Sequence, residues 1–194
     1  MDTSERHFTF LRAGGRPGGN TEALSRRAAA GLPTGTVQRW LDLNDLALPP
    51  FQDRRHDDSA AAHVPTGHER TLIDATLLCT DLVIVSPVYW GGLAAPGKLY
   101  LDHVVNWVRL PGLKLRSRMR GKTLWGVAVL NGPGHDDAKP MADLLESAAD
   151  YLNMHFGGLL LGNGDRPGDV LNDARGIEEA DRFFSPPKDP APSA

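Results

Sequence analysis

The chain has 194 residues, 41% of them hydrophobic, and its 21 basic and 24 acidic residues leave a formal net charge of −3. This length and composition suit one domain with a substantial core. The balanced charge excludes a strongly basic nucleic-acid binder. The sequence contains neither an apolar run near the roughly 18 residues that a membrane helix needs nor a signal peptide. One cysteine, Cys79, allows no internal disulfide and no cysteine-based metal site. These features predict a cytoplasmic protein without a membrane or nucleic-acid partner.

The first half of the chain alternates short apolar runs with longer amphipathic stretches. The run Asp81–Ser86 is β-branched and continuously apolar, which is typical of a strand buried on both faces. The stretch Pro49–Gly67 is polar, contains proline and shows no apolar periodicity. The predicted elements here are strands at His7–Leu11, Thr36–Leu43 and Asp81–Ser86, and helices at Asn20–Gly31 and His68–Thr80.

The second half repeats this alternation. Its predicted elements are a helix at Pro96–Leu110, a buried strand at Thr123–Leu130, a helix at Met141–Leu152, a short strand at Leu159–Leu161 and a helix at Val170–Phe184. The last ten residues are rich in proline and poor in apolar side chains, so we expect a domain over residues 1–184 and a flexible tail over 185–194.

Five strands that alternate with five helices predict an α/β fold with a parallel sheet covered on both faces. In such doubly wound sheets, ligands bind beyond the carboxyl ends of the strands. The loops that follow the strands are therefore the places to look for function.

The loop after the first strand has the composition of a phosphate site. Its four glycines, within residues 14–19, allow backbone N–H groups to approach an anion, and a helix that begins near Asn20 adds its positive end. Asn20 and Thr21 supply side-chain donors, and Arg16 supplies a positive charge. The loop matches neither the Walker nor the Rossmann pattern. The alternative is a flexible loop in which Asn20 caps the helix.

Two further loops follow buried strands. Tyr89 and Trp90 lie in a glycine-rich loop after the third strand and could provide a platform for a flat ring, although they could equally cap the core or lie in a subunit interface. The loop over residues 131–137, after the fourth strand, has glycines that could aim N–H groups at a polar ring edge, or it could be an ordinary turn. A phosphate loop, a ring platform and a polar edge at one end of one sheet together describe a site for flavin mononucleotide (FMN).

The chain resembles the NADPH-dependent FMN reductases and the related flavodoxin-like NAD(P)H oxidoreductases over nearly its whole length. The resemblance rests on residues 19–24 (GNTEAL), 86–91 (SPVYWG) and 98–103 (KLYLDH). It implies a flavodoxin-like, doubly wound, five-stranded parallel sheet with strand order 2-1-3-4-5 and helices on both faces. Many relatives have a serine early in the phosphate loop, where this chain has Gly14.

The family pattern also implies the cofactor-binding residues. The first loop would hold the FMN phosphate, the second would border the isoalloxazine ring, and the third would contact its pyrimidine edge. By position, these residues are Arg16, Gly18, Asn20, Thr21, Pro87, Val88, Tyr89, Trp90, Gly91, Asn131, Gly132 and Gly134. FAD is the alternative cofactor.

The expected activity is an NAD(P)H-dependent oxidoreductase that passes hydride through bound flavin to a small acceptor such as a quinone, an azo compound or free flavin. The flavin itself supplies the redox chemistry, so no side chain is assigned a catalytic role. The alternatives are a flavodoxin-like one-electron carrier, which the modest charge disfavours, and an FMN-binding module without turnover.

Several histidines and one helix allow further expectations. His56, Asp57, Asp58, His63 and His68 could suggest a metal site, but they lack ligand spacing and fit a solvated lid better. His135 could donate a proton to a substrate or be a surface residue. The predicted helix at Pro96–Leu110 is apolar around much of its circumference, with Tyr100 and Trp107 adding aromatic area, which predicts a homodimer. The alternative is that neighbouring helices and the stretch Pro49–Gly67 cover this surface within one chain.

Overall fold

A computed structural model describes residues 6–54, 63–132 and 135–184 of the chain. Its strands are β1 (His7–Arg12), β2 (Val37–Asp42), β3 (Asp81–Val85), β4 (Val88–Tyr89), β5 (Gly92–Leu93), β6 (Thr123–Leu130) and β7 (His155–Asn163). Five of them form a parallel sheet in the order β2-β1-β3-β6-β7, and β4 and β5 form a separate antiparallel hairpin. Counted within the parallel sheet alone, this is the predicted order 2-1-3-4-5, so the predicted fold is confirmed.

The helices cover both faces of the sheet, as doubly wound folds require. They are α1 (Asn20–Ala30), α2 (Gly67–Leu78), α3 (Ala95–Trp107), α4 (Leu115–Met119), α5 (Lys139–Tyr151) and α6 (Ala174–Ala180). Helices α1 and α6 pack with Phe8 and Phe10 on one face, while α2, α3, α4 and α5 pack with Leu11 and Ile84 on the other. Successive side chains of a strand point to opposite faces, so β1 and β3 contribute to both clusters.

The predicted helix over Val170–Phe184 is wrong in its extent. The structure has a 3₁₀ turn at Asp169–Asn172 and then the short helix α6. Asp173 separates the two, because its carboxylate accepts a hydrogen bond from Gly176 N–H at 3.1 Å and so caps a new helix start.

Strand β7 is longer than the predicted Leu159–Leu161. The strand includes Gly157, although glycine usually weakens a strand. In the structure a Cβ at Gly157 would lie 2.3 Å from the Trp125 ring, so the glycine leaves room for an indole on the neighbouring strand. The strand therefore continues through it.

A buried carboxylate stabilises the end of the sheet at which the parallel strands begin. Asp81, at the start of β3, accepts hydrogen bonds from the Arg6 guanidinium at 2.5 and 3.1 Å and from Trp125 Nε1 at 2.9 Å. Thr80 Oγ1 donates to the same carboxylate at 2.7 Å. These contacts lie at the end of the sheet opposite the expected ligand site, so we assign Asp81 to stability.

Cys79 is buried, and its thiol has low reactivity. Its side chain is 2% exposed, and its thiol donates to the Thr76 carbonyl. Burial raises the pKa of the thiol to about 12, so almost no thiolate is present near neutral pH. Cys79 is therefore a core residue and not a nucleophile.

The polar stretch Pro49–Gly67 contains the predicted lid, and its described part packs against α3. His103 Nε2 lies 2.9 Å from the Pro49 carbonyl, and Asn106 donates to Gln52 O at 2.8 Å. Residues 55–62, with His56, Asp57 and Asp58, lie outside the described residues, as does the predicted tail. The described part of the chain contains no helix long and apolar enough to cross a membrane.

Candidate functional site

A cleft of about 700 Å³ opens at the carboxyl ends of the parallel strands. This volume is within the range of about 300–1,000 Å³ typical of cofactor sites. The predicted residues that line it are Arg16, Asn20, Thr21, Pro87, Val88, Tyr89, Trp90, Gly91 and Asn131. The structure therefore brings together residues from all three predicted loops.

The first loop offers open space and free donors. A Cβ at Gly15 or Gly18 would meet nothing within 4 Å, so a ligand can approach the backbone closely there. Gly18 has φ +67°, which favours glycine. At the start of α1, the N–H groups of residues 20–22 have no hydrogen-bond partner among the described residues. Such free amides suit an anion. Gly18 belongs to this loop but does not line the cleft.

Thr21 and Arg16 are the side chains of this loop that can bind an anion. Thr21 is 7% exposed, lines the cleft, and its hydroxyl has no partner in the described part of the chain. Arg16 is exposed, lines the cleft and has no acidic partner among the described residues. Both can serve a phosphate as donors.

Asn20 has a different local role. Its side-chain amide donates to Arg166 O at 2.9 Å, and its Oδ1 accepts from Gly168 N–H at 2.8 Å. The side chain therefore fastens the loop after β7 to the start of α1. The residue contributes to the cleft through its backbone and its position.

An ion network beneath the first loop escaped the sequence analysis. Arg12, at the end of β1, pairs with Glu22 and bonds Asp42 Oδ2 at 2.6 Å. The Glu22 carboxylate accepts Gly18 N–H at 3.0 Å. Burial acts to raise the pKa of Glu22, but the Gly18 hydrogen bond and the Arg12 charge outweigh it, so the pKa is lowered. Glu22 is thus ionised at neutral pH and holds the loop in place.

The second loop projects aromatic side chains into solvent at the cleft. Ser86 Oγ accepts Ala94 N–H at 2.9 Å and closes the base of the hairpin formed by β4 and β5. At the hairpin turn, Trp90 has φ +53°, a conformation that costs a non-glycine residue about 1–2 kcal/mol. Its side chain is 105% exposed, and Tyr89 is 56% exposed. Trp90 is therefore not a core residue of this chain, which excludes the core-capping alternative for it.

The third loop is described in part. Asn131 lines the cleft, whereas Gly132, with φ +143°, does not. Asn163 of β7 donates to the Gly132 carbonyl at 2.5 Å and orients this loop. Gly134 lies outside the described residues, and His135 begins a 3₁₀ turn that ends at Ala138.

Further residues that line the cleft were not among the predicted site residues. Asp136 and Asp137 are the last two residues of the third loop, Pro140 lies just beyond it, and Gly164, Asp165 and Pro167 follow β7. The latter segment could have been anticipated, because the loop after any strand of the parallel sheet reaches the same edge.

The two described histidines of the group considered for a metal site, His63 and His68, have separate partners. His63 Nε2 lies 2.7 Å from Glu69 Oε2, while His68 Nδ1 lies 3.3 Å from the Ala47 carbonyl. Within the described residues, no group of three or more metal-ligating side chains is found.

Known proteins share this architecture. The chain is 29% identical over 182 residues to YwqN of Bacillus subtilis (strain 168), which its name assigns provisionally to the NAD(P)H-dependent FMN-containing oxidoreductases; the match covers 91% of this chain and 96% of that protein. The structure of a Trp repressor binding protein from Bacillus subtilis superimposes with a TM-score of 0.73 at 24% identity, covering 93% and 99% of the two chains. An FMN-dependent NADH-azoreductase from Bacillus anthracis, solved with FMN, gives a TM-score of 0.63 at 12% identity, covering 91% and 96%.

Residues 9–158 match the sequence model of the NADPH-dependent FMN reductases. This match covers most of the chain and confirms the resemblance inferred from the loop motifs. It also confirms the expectations of an enzyme, of FMN as the cofactor and of NAD(P)H as the co-substrate. The chain belongs to the NADPH-dependent FMN reductase family.

Proposed function

We propose that FMN binds in the cleft with its phosphate against residues 14–21 and its ring beside residues 87–91. The observation that carries this proposal is that unpartnered amides, the Thr21 hydroxyl and Arg16 line the same cleft as Tyr89 and Trp90. The residues therefore fit the cofactor: donors for an anion lie at one end and exposed aromatic surface at the other. Gly18, Gly132 and Gly134 remain proposed contacts through their loops.

The bound flavin would accept hydride from NAD(P)H and pass electrons to a small acceptor such as a quinone, an azo compound or free flavin. The chain's own part is to position the ring, and to place N–H groups of the loop after β6 where the reduced ring carries negative charge. Since donor and acceptor need the same open face, we expect ping-pong kinetics. Intersecting lines in double-reciprocal plots with a small quinone would indicate a ternary complex and contradict this.

An anaerobic titration tests the function directly. The FMN-loaded protein is mixed with NADH and, separately, with NADPH while the flavin absorbance is recorded. Rapid bleaching by either nucleotide supports a reductase. A flavin that stays oxidised until a protein reductant is added would instead indicate a one-electron carrier or a binding module. FAD binding in preference to FMN would contradict the cofactor assignment.

We also propose a homodimer, but the residues that support it differ from those named in the sequence analysis. Tyr100 and Trp107 of α3 are buried within the chain, so they do not supply interface area. Leu99 and Val105 remain partly exposed, and Leu99 lines an apolar groove of about 460 Å³ together with Leu46 and Leu48. Light scattering at micromolar concentration tests this, and a fully active 21 kDa monomer would refute it. The cytoplasmic location likewise stays a prediction.

A further inference from the structure

The rim of the cleft around Trp90 carries features that FMN binding does not explain. Asp136 and Asp137 are exposed, line the cleft and make no ion pair among the described residues. A Cβ at Gly91 would lie 3.4 Å from the Asp137 carbonyl oxygen, so the 3₁₀ turn lies close beside the Trp90 turn. An exposed indole and two carboxylates that have no ion pair in the described part of the chain therefore lie on one side of the opening.

The positive charges of the cleft do not offset these carboxylates. Arg12 is committed to Asp42 and Glu22 beneath the first loop. Arg16 lies on the phosphate loop, where the FMN phosphate would match its charge. The nearest lysine along the chain, Lys139, pairs with Asp143 at 2.6 Å. With FMN bound, the side of the cleft near Trp90 is left acidic.

We infer that the preferred acceptor is a planar aromatic molecule that carries positive charge, and that Asp136 and Asp137 determine this specificity. The inference rests on the proposed reductase function. For a quinone acceptor the balanced reaction is NAD(P)H + H⁺ + quinone → NAD(P)⁺ + hydroquinone, with two electrons transferred. The charge resides on a substituent and takes no part in the redox step.

Both features of the rim favour such a molecule. An indole face attracts cations, and a flat ring can lie against it. Each exposed carboxylate changes the affinity for a nearby unit charge by roughly three-fold, and it acts in opposite directions on cations and anions. Together, Asp136 and Asp137 should favour a cationic acceptor over a matched anionic one by at least about ten-fold at low salt.

The first test compares two naphthoquinones that differ only in a trimethylammonium or a sulfonate substituent. The flavin is reduced beforehand, and the rate of its reoxidation is measured by stopped flow, so the NAD(P)H step does not contribute. We expect the Asp136→Asn/Asp137→Asn variant to lower the cation-to-anion rate ratio by about ten-fold or more. The difference should vanish near 1 M salt, where the screening length falls to about 3 Å.

A matched control has the same change in net charge outside the cleft. Asp74 is partly exposed and pairs with Arg70, and Glu178 is exposed and pairs with Arg182. The Asp74→Asn/Glu178→Gln variant should keep the wild-type ratio. An equal loss of selectivity in this control would show that overall charge is responsible, and it would overturn the assignment to Asp136 and Asp137.

A second readout needs no turnover. Calorimetry on the oxidised, FMN-loaded protein compares naphthyltrimethylammonium with naphthalenesulfonate, neither of which can be reduced. We expect tighter binding of the cation, a loss of that preference in the double aspartate variant, and weaker binding of the cation to Trp90→Ala. Equal binding of both probes to the wild type would overturn the inference.

The two proposals can fail separately. If NAD(P)H does not bleach the flavin, the proposed function is rejected, but the calorimetric comparison still decides whether the rim selects cations. If bleaching occurs and the rate ratio is the same in wild type and the aspartate variant, the function stands and this inference is overturned. Dissociation of a dimer in Trp90→Ala would assign the indole to a subunit interface and overturn its role in stacking.

Discussion

The Thr21 hydroxyl provides the sharpest test of the phosphate site. Thr21→Val preserves the shape of the side chain and its branching at Cβ, so the conformational preferences of the first turn of α1 change little. The hydroxyl has no partner among the described residues, so the substitution breaks no native hydrogen bond there. We therefore expect the free energy of unfolding of the FMN-free protein to stay within about 0.5 kcal/mol of the wild type.

The substitution should weaken binding only of a ligand that carries a phosphate. A hydrogen bond to a charged group contributes about 1.5–3 kcal/mol, which corresponds to a roughly 10- to 140-fold increase in the Kd for FMN. Riboflavin lacks the phosphate, so its Kd should not change. Titration calorimetry with both flavins measures this difference directly.

The control uses a threonine on another helix, away from the cleft. Thr71 is exposed on α2, and its hydroxyl donates to the Gly67 carbonyl at 3.1 Å. Thr71→Val should bind FMN like the wild type. An unchanged Kd for FMN in Thr21→Val, or an equal weakening of FMN and riboflavin, would refute the placement of the phosphate.

Three other predictions follow from the contacts above. Trp90→Ala should change flavin affinity or acceptor kinetics while the thermal midpoint stays near the wild type, because its side chain is exposed; a large drop in that midpoint would contradict this. Asp81→Asn should destabilise the fold by about 3 kcal/mol in denaturant titrations, since it leaves Arg6 without its buried partner; a loss below 1 kcal/mol would argue against this anchor. The lowered pKa of Glu22 means that its contribution to stability is present above its ordinary pKa of 4.5 and is lost as the pH falls through the lowered value. Glu22→Gln should therefore flatten the acid limb of stability against pH, and an unchanged limb would exclude this contribution.

The sequence predicted the sheet well because its signals are local. Buried parallel strands such as β3 and β6 are continuous apolar runs, and the loops that follow them are rich in glycine. Loops that follow parallel strands lie at the same edge of the sheet, so the three predicted loops were expected to form one site. In the structure, residues from all three loops line one cleft.

The details that were missed depend on contacts between distant residues. Strand β7 begins before Gly157, and the Trp125 ring that occupies the space beside this glycine belongs to a different strand. From the sequence, the Asn20 side chain could bind either a phosphate or a neighbouring backbone. In the folded chain it forms hydrogen bonds with the backbone of Arg166 and Gly168, in the loop after β7. The pairing of Arg12 with Glu22 and Asp42 likewise joins residues up to 30 positions apart.

The buried thiol of Cys79 has a practical consequence. Because the chain has one cysteine, and it is inaccessible in the folded state, a thiol reagent can react with the protein only after the surrounding core opens. Under conditions where opening is reversible and labelling is slow, the labelling rate reports the free energy of that opening. Measured with and without FMN, the same rate gives the extent to which the cofactor stabilises the core, with no added probe and no engineered residue.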